Sequence, residues 1–148
     1  MLRLGRLTME GLRVRDVMTP DVTTLKRNDK LTLADDIMNL GRIRHMPVLD
    51  DDEQQVVGLV SQRDLFRGAL ARALGYSKHA QRKIMDTLSV KEIMTTDVIT
   101  TSPDTPLVEA ARVLAERKIG CLPVVEDGHL VGILTEGDFV AMVARKGR

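Results

Sequence analysis

The stretch VRDVMTPDV (residues 14–22) returns as VKEIMTTDV (residues 90–98), and the correspondence runs on downstream. Leu31 and Ala34 recur as Leu107 and Ala110. IRHMPVL (43–49) recurs as IGCLPVV (119–125), and VVGLVSQRD, ending at Asp64, recurs as LVGILTEGD, ending at Asp138. Met94 follows Met18 by 76 residues and Asp138 follows Asp64 by 74. The two-residue difference falls in one short polar turn, where a change of loop length costs little. A period this long, present only twice, points to duplicated halves of one fold rather than to a solenoid array.

Composition agrees. A chain of 148 residues, 43% hydrophobic and 29% charged, buries roughly 70% of its unfolded surface and folds without disulfides or a metal. With no Trp, one Tyr and two Phe, the core falls to Val, Leu, Ile, Met and Ala. The single cysteine, Cys121, cannot form an internal disulfide, and no signal-peptide pattern is present. A reducing, cytoplasmic setting is therefore expected. The apolar runs are of strand length, far short of the ~20 residues of a membrane span. A net charge of +1 argues against nucleic acid as the main partner.

Each half reads as strand–helix–strand–strand–helix. In the first, VTTL (22–25) is β-branched and strand-like. Thr32 or Asp29 can cap a helix with apolar positions Leu33, Ala34, Ile37, Met38 and Leu40, and Gly41 is a natural stop. Residues 45–49 form a strand, DDDEQQ (50–55) a polar turn, VVGLVS (56–61) a strand, and a helix follows from Asp64. In the second, VITT (98–101) is a strand. Pro103 and Pro106 open a helix carrying Leu107, Ala110, Ala111, Val113 and Leu114. Residues 122–125 and 130–135 are strands around an Asp-Gly hairpin signal, and residues 136–144 are the last helix. Near-continuous apolar strands imply sheets covered by helices.

The expected divisions are an N-terminal arm (1–13), a first motif (14–70), a helical basic linker (71–89) and a second motif (90–148). The arm either packs on a neighbouring surface or frays; as a membrane-surface helix it would be interrupted by Gly5 and Gly11. From 63 to 83 Lys or Arg stand at 63, 67, 72, 78, 82 and 83, with Asp64 the one acid. The linker region reads as an extended helix, a break near Gly75–Tyr76, and a further helix. It is a solvated face or a docking surface; without an aromatic stacking platform it is a poor nucleic-acid site.

The order of elements, with PVL or PVV on the second strand and Gly-hydrophobic-hydrophobic-[ST]-x-x-Asp at the end of the third, resembles the CBS motif. The two in tandem resemble the paired CBS module, or Bateman module, over residues 14–70 and 90–143. The resemblance implies an α/β fold of the α+β kind, with two β-α-β-β-α motifs packed about a pseudo-two-fold axis. It also implies two clefts between the motifs that take adenosine compounds, and pairing of modules into a homodimer.

The chemistry of those clefts has two parts. In Ser61-Gln62-Arg63-Asp64 and Thr135-Glu136-Gly137-Asp138, a carboxylate at a helix start can accept hydrogen bonds from both ribose hydroxyls, supported by the hydroxyl three residues earlier. The same pattern is also an ordinary helix N-terminus. By resemblance, the base lies between the first strand and the residues before each proline. Apolar side chains would sandwich it while backbone groups read its edge; parts of these segments are equally plain core strand.

The resemblance further implies that each cleft joins the acid of one repeat to the strands of the other. Site one then holds Ser61, Arg63 and Asp64 with Val98, Thr100, Ile119, Gly120, Cys121 and Pro123. Site two holds Thr135 and Asp138 with Val22, Thr24, Ile43, Arg44, His45 and Pro47. Arg44-His45 aligns with Gly120-Cys121, and in some relatives basic residues here reach phosphate. Site two therefore suits a charged nucleotide better, while Arg63 or the basic linker would supply site one. Alternatively, Arg44 and His45 form a solvent-facing turn. Cys121 reads as a small strand residue rather than a reactive thiol. Met18 and Met94 either fill core or flank a cleft.

No catalytic constellation is visible: the histidines are scattered and there is no metal spacing, nucleophile elbow or Walker loop. The expectation is a non-enzymatic regulatory module that needs no cofactor. It would bind AMP, ADP or ATP, with S-adenosylmethionine or NAD as secondary candidates, and signal to an unidentified protein target. The alternatives are a ligand-free dimerisation module with vestigial clefts and, more remotely, a nucleic-acid-binding regulator.

Overall fold

The computed structural model of the chain describes residues 10–52, 55–73, 75 and 77–146. In chain order the elements are α1 (Val14–Val17), β1 (Leu25–Lys26), α2 (Leu31–Gly41), β2 (His45–Leu49), β3 (Val56–Ser61), α3 (Gln62–Ala73), α4 (Lys78–Thr87), a 3-10 turn (Val90–Glu92), α5 (Leu107–Arg117), β4 (Cys121–Glu126), β5 (His129–Thr135) and α6 (Glu136–Lys146). This is a mixed α+β fold with two small sheets. The chain divides into two compact units, Thr23–Val98 and, in the other, Met1–Val22 with Ile99–Arg148.

In the Thr23–Val98 unit the sheet order is β1-β2-β3, with β1 parallel to β2 and β2 antiparallel to β3. The parallel step needs a crossover, and α2 supplies it. Leu31, Ala34 and Met38, at helical spacing, are buried against Met46, Val48 and Val60 of the strands. The helix runs one residue past the expected stop. Gly41 is its last residue, and Arg42 takes the left-handed cap conformation with φ 52. Neither expected N-cap serves. Lys30 holds the cap position without a side-chain bond; Thr32 lies inside the helix and donates to Asp86 Oδ1 at 2.9 Å. Asp29 closes the preceding turn by accepting from the Lys26 N–H at 2.7 Å.

In the other unit β4 and β5 form an antiparallel pair, turned by Asp127 (φ 52) and Gly128 (φ 80). Two successive positive φ values are what a two-residue type I′ turn demands. Leu107, Ala110 and Leu114 of α5 pack with Leu122, Val124 and Leu134 of the sheet and Met142 of α6.

The first strands are shorter than their β-branched sequences predict. Residues 22–25 contribute only Leu25 to β1, and residues 98–101 only a parallel bridge from Thr101 to Val124. Strand propensity reflects fit to a neighbouring strand, and within each unit the ladder pairs these segments at one end only.

The units do not follow the order of the sequence. Val90, 0% exposed, lies in the core of the Thr23–Val98 unit with Leu88, and Ile93 and Met94 pack against them. Val14, also 0% exposed, lies in the other core, where Leu12, Val17 and Met18 pack against it. The pairing is mirrored in the main chain: Leu31 N–H donates to Leu88 O at 3.0 Å, and Leu107 N–H to Leu12 O at 2.9 Å. The segment entering each repeat therefore packs on the helix and sheet of the other.

The repeated glycines explain the repeated methionines. A Cβ on Gly132 would stand 2.6 Å from Met18 Sδ, and one on Gly58 would meet Met94 Sδ closer still. Both methionines pack against core, each over its own glycine.

In the linker region α3 ends at Ala73, Gly75 has φ 89, and α4 begins after Ser77, whose Oγ accepts from the Ala80 N–H. Tyr76, expected at the break, lies outside the described residues, as do residues 1–9 of the arm and residues 53–54 of the polar turn. Helix α4 docks on α2 through the Thr32–Asp86 hydrogen bond and an exposed Arg82–Asp36 pair at 3.1 Å.

Candidate functional site

Each [ST]-x-x-Asp motif bridges the last residue of a strand and the first turn of a helix. Ser61 ends β3. Its N–H donates to Asp64 Oδ2 at 2.9 Å, and its Oγ accepts from the Asp64 N–H at 3.1 Å. This is the reciprocal pattern of a capping box, at the end of the helix that favours negative charge. Thr135 ends β5. Its N–H donates to Asp138 Oδ2 at 2.8 Å and its hydroxyl to the same oxygen at 3.3 Å. Thr19 Oγ1 donates to Asp138 Oδ1 at 2.9 Å. Both carboxylates are half-buried. Capping therefore occupies part of each carboxylate, and capping and ligand binding are compatible as long as lone pairs remain.

The residues before each strand proline lie beside the motif of their own repeat. His45 pairs with Ser61 across β2 and β3, and Gln62 N–H donates to Arg44 O at 2.8 Å. Cys121 pairs with Thr135, and Glu136 N–H donates to Gly120 O at 3.2 Å. Pro47 and Pro123 are buried strand residues.

The expected sites divide between the units. Of site one, Ser61, Arg63, Asp64 and Val98 belong to the Thr23–Val98 unit, while Thr100, Ile119, Gly120, Cys121 and Pro123 belong to the other. Of site two, Thr24, Ile43, Arg44, His45 and Pro47 belong to the Thr23–Val98 unit, and Val22, Thr135 and Asp138 to the other. Arg44, Arg63 and Thr100 are exposed; Val22, Thr24, Ile43, His45, Val98, Ile119 and Gly120 are half-buried.

Two residues escaped the sequence reading. Thr19 exchanges main-chain hydrogen bonds of 2.9 Å in both directions with Ile133, and Thr95 does the same with Leu59. Each lies at the edge of a strand two residues short of its motif. The sequence signal for them is the repeated Met-Thr of 18–19 and 94–95.

Cys121 is 2% exposed, and burial pushes its thiol up to about 12. Burial favours the neutral thiol, so the folded state holds its proton above the usual thiol range. Stability from this group is present at neutral pH and falls as pH rises from about 9 towards 12, where the unfolded chain has already released the proton. Thiol-reagent labelling at pH 8 is expected to be slow in the folded chain and fast in denaturant; fast labelling of the folded chain would contradict the burial.

A groove of about 460 Å³ in the Ile99–Arg148 part of its unit is lined by Thr100, Thr101, Glu109, Val113 and Asp127 among others. It lies towards the Asp127–Gly128 turn, away from Thr135 and Asp138 at the opposite end of the β4–β5 pair, and only Thr100 belongs to the expected sites. Among the described residues no cluster of three or more His, Cys, Asp or Glu could hold a metal. No helix among them is long and apolar enough to cross a membrane.

A family model described as the CBS domain matches residues 14–71 and 90–145. Among solved structures, the chain is similar to a Vibrio cholerae protein attributed to acetoin utilization, AcuB. Identity is 36%, the TM-score is 0.77, and the match covers 91% of this chain and 92% of that one. It is similar to CBSX2 in complex with AMP at 34% identity and a TM-score of 0.74, covering 93% of this chain and 100% of that one. The CBS domain pair of protein MJ0100, in complex with 5′-methylthioadenosine and S-adenosyl-L-methionine, is 29% identical with a TM-score of 0.73, covering 91% and 98%. The chain spans 42% and 26% of the lengths of the first two curated relatives it matches, the second named homoserine O-acetyltransferase, from Methanohalophilus mahii.

Proposed function

We propose, given that this chain belongs to the CBS-domain family as a tandem pair of motifs, that it is a non-enzymatic regulatory module whose ligand is an adenosine-containing compound. The observation that carries the proposal is the duplicated carboxylate. Asp64 and Asp138 each stand in the first turn of a helix, half-buried, beside the strand start of their own repeat. A carboxylate fixed in this way is a suitable acceptor for ribose hydroxyls. Solved relatives that carry AMP, or methylthioadenosine and S-adenosylmethionine, support adenosine as the common chemistry.

In this reading Asp64, supported by Ser61, takes the ribose of one site. Asp138, supported by Thr135, takes the ribose of a second. Arg44 is exposed, and its guanidinium is a candidate partner for a phosphate, which would favour AMP, ADP or ATP as the ligand. Signalling would work by linkage: a partner protein that prefers the liganded state binds better, by no more than the ligand's differential affinity for the two states. Pairing of two copies is supported by Phe66 on α3 and Val140 on α6, which occupy the same repeat position and are 66% and 69% exposed; large apolar side chains left open in this way suit an interface. A cytoplasmic setting fits the single buried thiol.

The second reading, an assembly module without ligand, is favoured by the capping bonds, which give both acids a structural role in an empty site. Thermal unfolding against AMP, ADP, ATP, NAD and S-adenosylmethionine near millimolar separates the two. A ligand at 100 times its Kd adds about 2.7 kcal/mol, or several degrees in a chain of this size. The shift is expected from at least one compound and is expected to shrink in Asp138→Ala and Asp64→Ala. Both variants also lose a cap worth about 0.5–2 kcal/mol, so the ligand-induced shift is the readout, not the absolute Tm. No shift from any compound would favour the assembly reading.

A further inference from the structure

Thr19 and Thr95 sit alike and treat their acids differently. Each exchanges two main-chain hydrogen bonds of 2.9 Å with a β-strand, Thr19 with Ile133 and Thr95 with Leu59. Thr19 Oγ1 then donates to Asp138 Oδ1 at 2.9 Å, whereas among the described residues Thr95 donates to neither oxygen of Asp64. Asp138 accepts from the Thr19 hydroxyl, the Thr135 N–H and the Thr135 hydroxyl. Among the described residues, Asp64 accepts from the Ser61 N–H alone.

An ionised carboxylate offers about four lone-pair positions, and a vicinal ribose diol needs two of them. Asp64 therefore has room for the diol as it stands. Asp138, with three donors in place, has room for a single hydroxyl.

We infer that Thr19 is a hydroxyl latch on Asp138: it holds the acceptor that a ribose diol requires and must rotate away before the diol binds there. The inference rests on the adenosine reading proposed above. Thr19 is suited to the role because its main chain is pinned to β5 while its side chain is exposed, so rotation about one bond moves the hydroxyl from carboxylate to water. The exchange is like for like, one aliphatic hydroxyl replaced by another on the same oxygen. Its cost is the net worth of one exposed hydrogen bond, a factor of roughly two to ten in affinity. The Asp64 site, unlatched, takes a diol without this cost. Two acids that look equivalent in the sequence are thus set to different thresholds by one rotamer.

Calorimetric titration of the full chain with AMP and with 2′-deoxy-AMP tests the latch. Removing the hydroxyl in Thr19→Val, which keeps the shape of the side chain, is expected to tighten AMP binding at the Asp138 site by roughly two- to tenfold. It is expected to leave 2′-deoxy-AMP nearly unchanged, because a single hydroxyl already has an acceptor. Thr19→Ser is expected to behave as the parent chain, and Thr95→Val to change neither ligand. The Asp138 site is identified as the binding event lost in Asp138→Ala. Weaker or unchanged AMP binding in Thr19→Val, or equal changes for AMP and 2′-deoxy-AMP, would overturn the latch while leaving the adenosine site intact. AMP binding that persists in the Asp64→Ala/Asp138→Ala double variant, or no AMP binding in any form of the chain, would overturn the ribose role of the acids and the latch with it.

Discussion

Val14→Asp will unfold the β4–β5 unit, although residue 14 belongs to the other sequence repeat. Val14 is 0% exposed and packed with Leu107, Leu122, Val124 and Leu134. A carboxylate there would have no compensating partner, at a cost of several kcal/mol whether it ionises or shifts its pKa. The milder Val14→Ala should cost about 1.5–3 kcal/mol, the worth of the lost apolar burial plus the cavity. Hydrogen exchange is the discriminating measurement. Protection should fall first in α5, β4 and β5, which share a core with Val14, rather than in β2 and β3. Val90→Asp should reverse the pattern, because Val90 is packed with Leu31, Met46, Val48 and Val60. The same exchange predicts that residues 90–148 alone will not fold: they lack Leu12, Val14 and Met18. Independent folding of that fragment would show that the exchanged segments are dispensable.

Gly132→Ala is expected to destabilise the chain by about 1–3 kcal/mol, the usual cost of forcing a methyl group into filled space. The new Cβ would stand 2.6 Å from Met18 Sδ and 3.1 Å from Thr19 O. The methionine can rotate; the carbonyl is tied into the Thr19–Ile133 bridge and cannot. Met18→Ala should therefore restore only part of the loss. At Gly58 the three nearest atoms all belong to Met94, so Met94→Ala should restore more of a Gly58→Ala defect. Urea denaturation of the two double-mutant cycles measures this difference. Equal rescue at both glycines would mean that the main-chain contact at Thr19 gives way easily. Gly132→Ala should also loosen the Thr19–Asp138 bond, since the clash falls on the residue that makes it.

Much of the fold was legible because it is local. Helical spacing identified α2 and α5, and the Asp-Gly pair identified the β4–β5 turn. The two [ST]-x-x-Asp motifs mark strand-to-helix junctions, as a hydroxyl followed three residues later by an acid implies. The boundary errors share one cause. Gly41 and Thr32 are good cap residues by propensity, yet the left-handed position fell to Arg42 and the N-cap to Lys30. Where a helix starts and stops depends on what its ends pack against, and intrinsic preferences of under about 1 kcal/mol yield to that. The strands at 22–25 and 98–101 shrank for the same reason, since β-branched residues need a partner to become a ladder.

By itself the sequence determined the duplication, the order of elements within each half and the two carboxylates at helix starts. All of these follow from periodicities and turn chemistry that act over a few residues. Only the tertiary structure decided that Val14 and Val90 serve each other's repeats, that Gly58 and Gly132 lie against Met94 and Met18, and that Thr19 donates to Asp138 while, among the described residues, Thr95 donates to neither oxygen of Asp64. These are contacts between residues dozens of positions apart, 119 in the case of Thr19 and Asp138. A repeated sequence offers such a segment two nearly equivalent places to pack, and the choice between them is a property of the assembled cores that no local pattern records.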